Sequence, residues 1–247
     1  MHASVRSYFI KFNEDIEGRV DYMYLDIKGL VTIGVGNLID VETASDTKNL
    51  KRVMEELLTL PFVYKKGHLN AGKPASRADI EAEWKLVKSK QEKAKEGALA
   101  FVNITKLELK KEAINAMAFK KAGAMEKELK VDRPFWDFDK WPADAQLGLL
   151  SMAWALGAPK IGNGWPNFKA ACGKQDFDTA AKHSHILDAN NPGVTPRNTA
   201  NLRLFKKRRG GTGERWKESC REYPTAPYTA LSPYYGEEDN DSRIENS

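Results

Sequence analysis

Apolar positions recur at three- and four-residue intervals along most of the chain and alternate only near its start. Val5, Tyr8, Phe9, Phe12 and Ile16 fall on one face of a helix running from about Val5 to Glu17. Gly18 then offers the left-handed conformation that commonly closes a helix. Val20, Tyr22 and Tyr24 roughly alternate with Asp21 and Met23, a strand pattern. Asp26-Ile27-Lys28-Gly29 has the residues of a tight turn, with Asp first and Gly last, and Leu30 to Ile33 is a second β-rich run. Gly34 and Gly36 follow and let other atoms approach the backbone. The pattern predicts a helix end feeding a small β-hairpin.

Helical spacing dominates thereafter. Residues 41–60 read as a helix with Val53, Leu57 and Leu60 inward and Pro61 as its limit. A Gly/Lys/Pro-rich loop over 65–76 leads to Ser76-Arg-Ala-Asp79, close to a capping box, and to a helix through Ile80, Trp84 and Val87 towards Glu96. Its charged end, Lys88 to Lys95, reads as a solvated face. A further helix is predicted over Leu107 to Lys130, then an aromatic connector ending at Pro142. Ala143 to Leu156 is apolar nearly all round, so it reads as a buried core helix. Shorter helices are predicted at 165–172 and 176–185, a turn-rich loop over 190–198, and a last helical segment holding Leu202, Leu204 and Phe205. The fold class expected is α+β, mainly α, with a two- or three-stranded antiparallel sheet near the N-terminus.

Composition narrows the class. The 247 residues are 41% hydrophobic and 30% charged, as expected of a soluble globular protein, and no apolar run approaches a membrane span. The first residues lack a secretory signal pattern. Net charge is +5; residues 237–247 hold five acids against one arginine, a net −4, so the remainder carries +9. A basic body suits an anionic target such as bacterial wall. No nucleic-acid fold signature accompanies it, and the Lys206–Arg209 cluster reads as a solvated helix end. Residues from Tyr223 onward read as an extended segment and then a disordered acidic tail. Cys172 and Cys220 form no metal motif, nor do the four histidines, of which His183 and His185 come nearest. The cysteines read as two free thiols, although sequence does not decide whether they pair.

The chemistry-bearing stretch is 17–38. Glu17 closes the first helix, Asp26 heads the hairpin turn and Thr32 lies on the returning strand; folding the hairpin brings the three to one edge. Two carboxyls and a hydroxyl around a cleft suit cleavage of a sugar–sugar bond. One carboxyl gives a proton to the leaving oxygen, and the other activates water or stabilises the cation-like transition state. The alternative is a hairpin whose acids are solvated turn residues.

Glu17-Gly18, Tyr24, Asp26, Gly29 and Thr32-Ile33-Gly34-x-Gly36 together resemble the catalytic segment of the phage-type lysozymes, glycoside hydrolase family 24, down to the spacing of nine and six residues between Glu, Asp and Thr. The resemblance is close over residues 1 to about 40 and looser over about 140–210. It implies a lysozyme-like two-lobed catalytic domain over 1–222. The small lobe would span about 18–75, and the large lobe about 76–222 plus the first helix. The implied activity is an inverting N-acetylmuramidase that cuts between N-acetylmuramic acid and N-acetylglucosamine of peptidoglycan. Glu17 would be the acid, Asp26 the residue that orients or activates water, and Thr32 its positioner. The binding alternative is a catalytically inactive peptidoglycan-binding module on the same scaffold.

The resemblance also puts Asn37, Leu38, Trp154 and Arg197 among the substrate-binding positions. Asn37 stands where the family usually has His. Trp154 would stand close to the cleft, or be plain core. Arg197 would hold the catalytic Glu, with Arg203 or a mere surface arginine as the alternatives. No metal, organic cofactor, nucleic-acid partner or membrane insertion is implied. A monomer is expected, exported by a holin or a secretion system to act on the wall, and an injected effector would need a cognate immunity protein.

Overall fold

The computed structural model describes residues 1–41, 46–189 and 192–207. The protein is α+β and mainly α, 60% helical with a small antiparallel sheet. In chain order the elements are α1 (Ala3–Glu17), β1 (Val20–Leu25), β2 (Val31–Gly34), β3 (Asn37–Leu38), α2 (Thr47–Leu57), β4 (Phe62–Tyr64), α3 (Arg77–Ser89), β5 (Leu107–Leu109), α4 (Lys111–Leu129), α5 (Ala143–Leu156), α6 (Ala158–Asn163), α7 (Pro166–Gly173), α8 (Phe177–Lys182) and α9 (Thr195–Lys207). Short 3-10 turns join several of them. No helix among the described residues is long and apolar enough to cross a membrane.

The first sheet runs β1-β2-β3, antiparallel throughout. Tyr24 pairs with Thr32 and Val20 with Gly34, with an irregularity in β1 between them, and Thr32 pairs in turn with Leu38. Val31 and Ile33 are buried in the hydrophobic core beneath the sheet, so Thr32 between them faces the other way. A second, two-stranded sheet pairs β4 with β5. The sequence reading missed both of its strands: it ended a helix at Leu60 and began one at Leu107. Three residues are too few to show a period of two, and their pairing spans more than forty positions of chain.

Side-chain caps set several helix starts. Ser76 and Asp79 form the capping box of α3, Asp46 accepts from the Asn49 N–H at the start of α2, and Asp176 accepts from the Thr179 N–H at the start of α8. The α3 helix ends at Ser89 rather than near Glu96, and a 3-10 turn takes up Gln91–Lys93. Lys88 is half-buried rather than fully solvated: its ammonium bonds Asp40, which is buried, and the Gly29 carbonyl. The final helix starts at Thr195, so Arg197 stands in its first turn rather than in a loop.

Two cores divide the molecule. One gathers β1, β2, Ile39, Leu57, Phe62, Ile80, Trp84, Val87, Phe101, β5 and Ile114; the other gathers α1 with the elements from Ala118 to Phe205. The division between the two cores falls inside α4. The α3 helix and β5 belong with the sheet because their apolar faces close its buried side. Ile114 enters one core and Ala118, Ala122, Met125 and Leu129 enter the other, so α4 is the element common to both. Every residue of α5 from Ala143 to Trp154 is buried, as its all-round apolar sequence requires. Gly157 stops it with φ of 83°. Cys172 is a free thiol buried against α7's neighbours, and Cys220 lies outside the described residues, as do the acidic tail and Arg208 and Arg209.

Helix α5 meets α9 at Gly148, where a Cβ would fall 2.9, 3.0 and 3.3 Å from three atoms of the Phe205 ring. Phe205 is fully buried and packs edge-on against Phe168, so it has little room to retreat. Alanine in a helix interior normally gains up to about 1 kcal/mol over glycine, but overpacking costs about 1–3 kcal/mol. Gly148→Ala is expected to lower stability by about 1–2 kcal/mol on that balance. Gly123→Ala, in α4 with nothing within 4 Å of the new carbon, is expected to raise it by about 0.5–1 kcal/mol. Denaturant unfolding of the two variants beside the parent measures both signs.

Candidate functional site

Glu17 is the last residue of α1 because Gly18 ends the helix at φ 73° and ψ −176°, a conformation open essentially to glycine alone. The neighbouring Arg19 forks onto both carboxylate oxygens of Glu14, at 3.0 and 3.1 Å, and reaches Asn115 of α4 at 2.9 Å. That fork holds the Glu14 carboxyl below its ordinary value and fixes the helix end against α4.

The Glu17 side chain is 39% exposed, and its Oε1 accepts from Arg197 Nη2 at 2.5 Å. Arg197 itself is 0% exposed. Its other terminal nitrogen, Nη1, donates to Asn13 Oδ1 at 3.1 Å, to the Ser151 carbonyl at 3.2 Å and to Ser151 Oγ at 3.0 Å. One guanidinium thus joins α1, α5 and α9 and aims its charge at Glu17. Arg203, the other candidate, is exposed.

The glycine turn between β2 and β3 closes on Glu17 from another side. A Cβ on Gly36, whose φ is 81°, would stand 3.8 Å from Glu17 Oε2 and 3.5 Å from Trp154 Nε1. Trp154 donates that N–H to the Val35 carbonyl at 3.1 Å and packs edge-on against Phe9. Lys121, from the middle of α4, donates to the Gly36 carbonyl at 3.2 Å and lies 4.0 Å over the Trp154 ring. Burial lowers its pKa to about 8, with Arg197 pushing the same way and Glu17 opposing. Sequence reading missed Lys121. One lysine among many on a helix carries no motif, and only the fold sets it beside Glu17.

Asp26 heads the β1–β2 turn. Its Oδ1 accepts from the backbone N–H of Lys28 at 2.8 Å and of Leu30 at 3.0 Å, and its own N–H bonds the Leu30 carbonyl at 2.9 Å. Gly29 completes the turn at φ 74°, and its carbonyl is gripped by Lys88 and Gln91, each at 3.1 Å. The Asp40 carboxylate, paired with Lys88 at 2.6 Å, accepts from the Val31 N–H at 3.0 Å and so holds the start of β2. Thr32 is buried, with its hydroxyl donating to the Leu30 carbonyl at 3.2 Å, and Tyr24 and Leu38 stand directly opposite it on the flanking strands. Glu17 therefore adjoins the β2–β3 turn, Asp26 stands at the far end of β1, and Thr32 lies between them along β2. Their backbone positions follow one another along the sheet.

Of the four positions assigned to substrate contact, Leu38 alone is exposed, at 41%. Trp154 is 6% exposed, core on one side and hydrogen-bonded to the turn on the other. Asn37 is buried, its Oδ1 folded back to 3.1 Å from where a Gly34 Cβ would be. With Arg197 these three act by shaping the turn and holding Glu17; they present no surface of their own. No model of a known protein family matches the chain, and no curated protein matches it. The likeness of residues 17–38 to the phage-type lysozymes thus rests on the sequence motif alone.

Removing the guanidinium strands Asn13 and Ser151 in the interior and opens a cavity, each worth about 1–3 kcal/mol. The ion pair adds little, since Glu17 is more than a third exposed. Arg197→Ala is expected to cost about 2–4 kcal/mol in denaturant unfolding, against less than about 0.5 kcal/mol for Arg203→Ala.

Proposed function

We propose that the protein is an N-acetylmuramidase that cleaves the glycan strand of peptidoglycan, with Glu17 as general acid. The observation that carries this reading is the grip of the buried Arg197 on Glu17 Oε1. It is the contact the lysozyme resemblance implies, and it joins residues 180 positions apart. Oε2, the oxygen that Arg197 leaves, is the one that gives its proton to the departing sugar oxygen. Asp26, whose Oδ1 is occupied by two backbone N–H groups, uses its other oxygen to orient the attacking water or to face positive charge on the sugar ring. The Thr32 hydroxyl keeps acceptor capacity beyond its bond to Leu30 and helps place that water.

The reading is of an inverting enzyme, which needs room for a water between acid and sugar and so holds its two carboxyls roughly 6.5–9.5 Å apart rather than at the 5–5.5 Å of retaining enzymes. The basic body of the chain, +9 without its acidic end, adds attraction to an anionic wall.

Purified peptidoglycan incubated with the protein is expected to release reducing ends. Glu17→Gln lowers that rate about 10²–10⁴-fold while leaving thermal unfolding and pelleting with the wall unchanged. A Glu17→Gln protein as active as the parent rules out Glu17 as the acid. Wall binding by the parent without new reducing ends selects the inactive binding module instead.

A further inference from the structure

Lys121 is a charge kept where burial opposes it. Its ammonium sits between the Gly36 carbonyl and the Trp154 face, and the charged groups facing it are Glu17 from α1 and Arg197 from α9. Both contacts depend on the proton. A cation is attracted to the indole face and a neutral amine is not. A charge-assisted hydrogen bond is roughly twice as strong as a neutral one. Through the Gly36 carbonyl the ammonium holds a stretch of backbone that lies against Glu17 Oε2.

We propose that Lys121 is a positioning residue for the acid: its ammonium clamps the Gly34–Gly36 turn against Glu17 and Trp154, and loss of its proton releases the turn. The proposal rests on the muramidase reading for its consequence in the reaction, but the clamp itself is a property of the fold. The sign follows from the depressed pKa of about 8. The clamp is closed below pH 8 and opens as pH rises through that value. For stability the direction is the reverse. The folded state binds the proton less tightly than the unfolded chain does, so the charge disfavours folding below pH 8, and that penalty fades between about pH 8 and the ordinary lysine value. Lys121→Met is therefore expected to unfold at no lower temperature than the parent at pH 7, where a purely structural lysine would cost stability.

The test follows the indole N–H resonance of Trp154, assigned by its loss in Trp154→Phe, from pH 6 to pH 10. An inflection near pH 8 is expected in the parent, an inflection at lower pH in Glu17→Gln, where the carboxylate that favours the ammonium is gone, and none in Lys121→Met or Lys121→Arg, the last because arginine keeps its proton throughout. Absence of the inflection in the parent, or its survival in Lys121→Met, overturns the clamp. On peptidoglycan at pH 7, Lys121→Met is expected to lower kcat about tenfold with KM little changed, and Lys121→Arg to restore most of it. Parental kcat in Lys121→Met overturns the positioning role. A parent protein that releases no reducing ends removes the muramidase reading, while the indole titration still decides whether the clamp exists.

Discussion

A guanidinium with no access to water has to find its acceptors inside the protein, and Arg197, standing on α9, finds them on two other helices at once. Asn13 comes from α1, Ser151 from the all-buried α5, and Glu17 from the last residue of α1. A buried cation without such partners would cost several kcal/mol. The first turn of α9 can therefore dock only where Asn13, Ser151 and Glu17 converge, and the end of α1 is held in one orientation by the same demand. The arginine contributes less as one side of an ion pair than as a constraint on geometry. The Glu17 carboxylate is partly exposed and its Coulomb attraction is screened, but the hydrogen bonds to Asn13 and Ser151 are not.

From that fixed point the site is assembled by elements of both cores. The glycine turn after β2 extends the sheet towards the helices, and Val35 within it belongs to the helical core although its strand belongs to the other. The α4 helix does the same in reverse, entering the sheet core at Ile114 and the helical core from Ala118 onward. Lys121 projects from the stretch after that crossover. Of the groups around Glu17, the glycine turn and Lys121 thus come from stretches that the two cores share, while Trp154 and Arg197 stand on α5 and α9 of the helical core.

Local chemistry made part of this legible in the sequence. Glu17-Gly18, the Asp26–Gly29 turn and the Thr-Ile-Gly-x-Gly run are each set by residues a few positions apart, and each folds as its composition dictates. The capping box at Ser76 and the apolar α5 were readable for the same reason. What sequence could not yield depends on distant pairing. The β4–β5 sheet joins segments with no periodicity of their own. The Lys88–Asp40 pair gave a use to a lysine in an unremarkable charged run. Arg197 was legible only through the lysozyme resemblance, since a Pro-Arg-Asn triplet says nothing about burial. Lys121 had neither motif nor resemblance to mark it.

On the muramidase reading, the surroundings of Glu17 decide which of its oxygens meets the sugar. Oε1 is held by Arg197, and Arg197 is committed to Asn13 and Ser151 as well, so the carboxyl cannot turn without breaking hydrogen bonds inside the protein. Oε2 is left beside the Gly36 backbone, whose carbonyl Lys121 holds. The Glu17 side chain is more than a third exposed, so the site stays open to a ligand while two neighbouring elements fix its geometry. The cations thus act on where the carboxyl points, and through that on which oxygen is free for the departing sugar.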